Sequence, residues 1–83
     1  MEALMDRKPL VVYANWDDEA KVWVATSEDI PGLVTEAETP EKLIQKLRYM
    51  IPEMLDCNGY ADGDDIPFTL VSERQDVAHR EAA

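Results

Sequence analysis

At 83 residues the chain has the length of one domain, and its 46% hydrophobic content is too high for wholesale disorder. Its 18 acidic residues against 8 basic ones give a formal net charge of −10, which disfavours direct binding to nucleic acid phosphates or anionic membranes and suits solubility or a basic partner protein. The single cysteine, Cys57, excludes an internal disulfide and a zinc site built from thiolates, and so points to a reducing, cytoplasmic setting.

Met1 to Lys8 reads as a loose leader without the apolar core of a signal peptide, and no run approaches the ~20 apolar residues of a membrane span. Pro9 opens a first strand over Leu10–Trp16, rich in β-branched and aromatic residues. Alternation sorts Leu10, Val12, Ala14 and Trp16 onto the expected core face, against Val11, Tyr13 and Asn15. Asp17 to Ala20 is a polar turn, and Lys21 to Ser27 the second strand of a hairpin. The pattern leaves open which of Trp16 and Trp23 faces the helix and allows one of them on the outer face. Ser27 to Gly32 is a loop marked by Pro31-Gly32, and Leu33 to Ala37 a short third strand.

A helix then starts at Pro40. Thr39 is a good N-cap, Pro40 suits the first helical position, and Glu41 lies where the helix dipole favours a negative charge. Leu43, Ile44, Leu47, Met50, Ile51, Met54 and Leu55 recur at helical spacing as a stripe wide enough to cover a sheet. Pro52 cannot donate to the Arg48 carbonyl, so a kink or break followed by one more turn is expected, with Asn58-Gly59 as the stop. After a loop over Gly59–Asp65, Ile66 to Ser72 is the fourth strand, with Pro67 near its start. The expected architecture is α+β, β-β-β-α-β: a four-stranded mixed sheet in order 3-2-1-4 with one helix on one face. Residues 9–73 form the domain and 74–83 a flexible tail.

Taken together, Trp16-Asp17-Asp18-Glu19, Val22-Trp23-Val24-Ala25, Asp29 to Ala37, Thr39-Pro40-Glu41 and the helix resemble the HicB-like antitoxin superfamily, and more closely a domain-of-unknown-function branch of it. The similarity covers roughly Leu10 to Val71. It implies a partial ribonuclease-H-like sheet used for binding rather than catalysis. Antitoxins of this type cap a small basic toxin that cleaves messenger RNA. They usually also carry a C-terminal DNA-binding helix-turn-helix or ribbon-helix-helix. The ten residues after Glu73 are too few for either, so DNA binding through this stretch is not expected.

No constellation for chemistry stands out. Asp17-Asp18-Glu19 are consecutive turn residues, whereas metal-dependent nuclease work needs carboxylates converging from several elements. Asp62-Gly63-Asp64-Asp65 lacks the ligand spacing and distant Glu of an EF-hand. His79 has no nucleophile placed beside it, Cys57 reads as a packed side chain, and Met50 and Met54 as core filling. Neither catalytic, cofactor nor metal residues are assigned. Trp16 and Trp23 are the candidate partner-binding residues, because tryptophan is enriched at binding hot spots. The expected function is non-enzymatic protein binding, with a basic toxin as partner. The alternative is a homo-oligomeric module without a toxin, for which a core this small gives a motive.

Overall fold

A computed structural model describes residues 9–55 and 65–81. Five elements follow in chain order: β1 (Leu10–Asp17), β2 (Val22–Thr26), β3 (Val34–Ala37), α1 (Pro40–Leu55) and β4 (Phe68–Glu73). The strands form one four-stranded sheet in the order β3-β2-β1-β4, as the pattern predicts. Strand β1 is antiparallel to β2 and parallel to β4, and β2 is antiparallel to β3. The leader Met1–Lys8, Cys57, the Asn58-Gly59 stop and the acidic loop up to Asp64 lie outside the described residues.

The strand boundaries differ from the predicted ones by a residue or two, for local reasons. Strand β1 runs on through Asp17 because the turn is tied inside it: the Asp17 Oδ1 accepts the N–H groups of Glu19 (3.0 Å) and Ala20 (3.1 Å). The Lys21 N–H then donates to the Asp17 carbonyl at 2.7 Å, with Lys21 itself at φ 60°. Pro67 stays outside β4. It contributes only its carbonyl, which accepts the Leu10 N–H at 3.0 Å, so its missing donor costs the sheet nothing.

The loop after β2 has a specific task. The last β1–β2 pair is Tyr13 opposite Thr26, so β2 leaves the sheet before it can satisfy Val11. Side chains take over there. The Ser27 hydroxyl donates to the Val11 carbonyl (2.6 Å), and an Asp29 carboxylate oxygen accepts the Val11 N–H (2.8 Å). The Asp29 N–H returns to the Ser27 Oγ at 3.1 Å, which closes the clamp. Pro31 and Gly32 then occupy the corners of a turn closed by Leu33 N–H to the Ile30 carbonyl (3.1 Å), with Gly32 at φ 85°. Proline first and a positive-φ glycine second are what a type II turn requires. The turn buries Ile30 and Leu33 on either side of itself.

Helix α1 is capped as the sequence indicates: the Thr39 Oγ1 accepts the Lys42 N–H at 3.1 Å, and the Thr39 carbonyl accepts the Leu43 N–H at 3.0 Å. It continues through Pro52 and gains the extra turn. Leu43, Leu47, Ile51 and Leu55 are buried against Val12, Ala14, Ala25 and Ala37 of the sheet, with Ile30 and Leu33 closing the end. The small residues on the strands let the helix approach closely, most of all over β2 and β3. Met50 and Met54 fill the margin of this core, and no polar residue is buried among the described residues. No helix among the described residues is long and apolar enough to cross a membrane.

Candidate functional site

Two surfaces follow from this register. The first is the corner where the β1–β2 hairpin ends. Trp16 and Trp23 stand directly opposite each other, and their rings meet edge to face with centroids 5.6 Å apart and planes at 63°. Opposed residues share a sheet face, and each tryptophan lies two positions from a buried alanine, Ala14 or Ala25. Both therefore face the helix side. The expectation that one could sit on the outer face is corrected: the four-residue turn, held by Asp17 and by Lys21 at positive φ, fixes a register that puts both on the same side.

Trp23 packs against the core, while Trp16 is half-buried at the margin. The Trp16 indole N–H donates to the Asp18 Oδ1 at 3.2 Å, and the Lys21 ammonium donates to the same oxygen at 3.2 Å. These two hydrogen bonds, with the Lys21 charge, hold the Asp18 carboxyl below its ordinary value of 3.8. Over the ring lies the Arg74 guanidinium, 4.3 Å from the centroid. An open groove of about 750 Å³ runs beside this stack, lined by Trp16, Asp18, Arg74, Gln75, Asp76 and Val77. Residues 74–81, read from sequence as a tail, thus begin by contributing a wall. The signal that could have found Arg74 was its place next after the last strand, in step with Trp16.

The second surface is the outer face of the sheet, opposite the helix. One register row crosses all four strands there: Val71, Tyr13, Thr26 and Val34. Val71 is 41% exposed, Tyr13 49% and Val34 66%. The adjoining row is Glu73, Asn15, Val24 and Glu36, and Asp17 lies beyond it. Among the strand residues of this face there is no lysine or arginine, so the charges that fringe its apolar centre are all carboxylates.

Neither surface has the makings of a metal centre: no group of three or more His, Cys, Asp or Glu among the described residues is arranged to hold an ion. Asp17 and Asp18 instead have the turn and indole partners given above. His79 lies exposed in the tail.

The model of a domain of unknown function, DUF1902, matches residues 9–80. The chain belongs to the DUF1902 family. The match takes in both surfaces and most of the tail, so the Arg74–Val77 wall is part of the DUF1902 domain and not an appendage to it. Among solved structures, this DUF1902 chain is similar to the crystal structure of hypothetical protein TTHA1013 from the extremely thermophilic bacterium Thermus thermophilus. The two are 45% identical, with 88% of this chain and 100% of that one covered and a TM-score of 0.63. No curated protein matches.

Proposed function

We propose that this DUF1902 chain is a non-enzymatic protein-binding domain of the HicB type, which seats a small basic protein on the outer face of its sheet. The observation that carries the reading is the uncovered row of Val71, Tyr13 and Val34 with Glu36, Glu73 and Asp17 around it. An apolar centre supplies the area that excludes water, and a rim of one charge selects a partner of the other. Exposed aromatic and branched side chains gathered in one patch mark an interaction surface more often than scattered ones do. The chain's net charge of −10 extends the same preference to long-range steering.

The HicB-like pattern of residues names the chemistry of the partner: a basic protein that cleaves RNA, held inactive by the acidic domain. Trp16 and Trp23 face the helix side, away from this row, and in this reading they support the hairpin corner.

The test is co-expression with a small basic protein encoded beside this gene. A co-purifying complex and loss of that protein's toxicity are expected for the native chain. Tyr13→Glu and Val34→Lys, on an exposed face, should leave folding intact and abolish both. A complex that both variants form as well as the native chain would remove the outer face from the reading. Absence of any complex, with toxicity undiminished, would remove the reading itself.

A further inference from the structure

Residues 74–81 are exposed throughout and extended, yet they run on from β4, an edge strand of the sheet. Among the described residues, the backbone from Gln75 onward has no hydrogen-bond partner elsewhere in the chain. The one bond within the segment is local, from the Val77 N–H to the Asp76 Oδ1 at 2.7 Å. An extended, unpaired segment in line with an open sheet edge is a template for another strand. The family pattern includes it as far as residue 80.

We infer that this segment pairs antiparallel with the same segment of a second copy, with the two-fold axis at Ala78. The order of its side chains selects that partner and that register. A two-fold axis that relates antiparallel neighbours in a sheet stands normal to it and keeps each face on its own side. Opposed residues must then share a face, which restricts the pairing to registers in which position numbers differ by an even count.

Centred on Ala78, the register sets Asp76 opposite Arg80 of the other copy, Gln75 opposite Glu81, and Val77 opposite His79. Each acid meets a base or an amide, twice over by symmetry. Shifted to centre on Val77, the register opposes Arg74 to Arg80 and Glu73 to Glu81. Centred on Asp76, it opposes two carboxylates at the axis. Like charges directly opposed are destabilising, so both of these registers are disfavoured, and the register centred on His79 pairs no acid with a base and sets Glu81 opposite Val77. Arg74 lies outside the paired segment in the favoured register and keeps its place over Trp16.

The geometry carries a consequence. An axis normal to the ribbon leaves the outer faces of the two sheets on the same side. The dimer then presents two copies of the Val71–Tyr13–Thr26–Val34 row in one direction, a bivalent surface. The pairing itself does not depend on what binds that row.

Sedimentation equilibrium on the whole chain over a range of concentrations is the test, with charge exchange as the probe. The native chain should dimerise. Asp76→Arg and Arg80→Asp each set like charges opposite each other twice, and each should weaken the dimer about tenfold or more. An equimolar mixture of the two single variants restores both pairs across the seam, as does the double variant D76R/R80D within itself, and both should recover native association. These positions are exposed, so circular dichroism should be unchanged in every variant. A native chain that stays monomeric at its solubility limit overturns the inference. So does a dimer whose strength ignores both single substitutions, or single variants that fail to complement each other on mixing.

Discussion

The guanidinium of Arg74 stands 4.3 Å from the centroid of the Trp16 ring, and it does so because the sheet places it there. The last β1–β4 register pair is Asn15 opposite Glu73, so Arg74 is the next residue out, directly across from Trp16 on the helix side. The stack prolongs the strand pairing by one step through side chains. A cation over an exposed aromatic face is worth about 0.5–1 kcal/mol. Arg74→Ala should lower stability by about that amount in urea unfolding and shift tryptophan emission to the red as the ring gains solvent. An emission spectrum unmoved by the substitution would show that the guanidinium does not cover the ring in solution.

The same tryptophan reports on Asp18. That carboxylate accepts from the Trp16 indole and from Lys21, and both hold its pKa below the ordinary 3.8. With the folded value depressed, its contribution to stability is present above 3.8 and is lost as the pH falls through the lower folded value. A tryptophan-monitored acid titration should therefore show a step on the acid side of the normal carboxylate range. In Asp18→Asn that step should vanish while the rest of the acid transition remains. A step at the ordinary carboxylate pH in the native chain would contradict the two hydrogen bonds.

The clamp on Val11 predicts a larger effect than its surface position suggests. Ser27 and Asp29 between them satisfy the one carbonyl and the one N–H that β2 leaves behind. Asp29→Ala removes a charge-assisted acceptor from a half-buried strand amide, and the loss should be about 1–3 kcal/mol by chemical denaturation. Ser27→Ala should cost about 1 kcal/mol. The two should be non-additive, because the Asp29 N–H is itself bound to Ser27. Strict additivity in the double variant would mean that the two side chains act separately.

The elements and their order were legible in the sequence because each is announced locally: Thr39-Pro40 starts the helix, Pro31-Gly32 makes the turn, and the spacing from Leu43 to Leu55 demands a sheet to cover. The strand order followed from the crossover. The alternation along β1 put Trp16 on the core face, but where Trp23 points was not legible. It turns on how the Asp17–Lys21 turn closes, and that depends on a lysine at positive φ, which no residue preference signals. The outer face was hidden for a related reason. Tyr13, Thr26, Val34 and Val71 are far apart in the chain and become one row only when three strand registers are known at once. The tail was missed because a segment without an apolar run looks idle, though its first residue is aligned with the sheet.

Pro52 allows a test of what holds the end of α1. The helix passes through it, with Ile51 1% and Leu55 4% exposed on either side of a solvent-facing ring. A proline inside a helix forfeits one hydrogen bond, here to the Arg48 carbonyl, and crowds that carbonyl, at a cost of about 3 kcal/mol. The last turn survives because Leu55 and Met54 are packed on the core and against the Gly32 turn, where the Met54 Cε comes within 3.8 Å of the space a Gly32 Cβ would fill. Pro52→Ala restores the donor and removes the crowding, but also frees the unfolded chain, which offsets about 0.4–1 kcal/mol. The net expectation is a gain of about 2 kcal/mol, which in a domain of this size raises the melting temperature by about 4–8 °C per kcal/mol. The companion change Leu55→Ala should cost about 2–5 kcal/mol in the native chain, because that side chain pins the turn after the break. If Pro52→Ala gave no stabilisation, the last turn would already have its hydrogen bonds satisfied around the proline, and the packing of Leu55 would no longer be needed to explain why the helix continues.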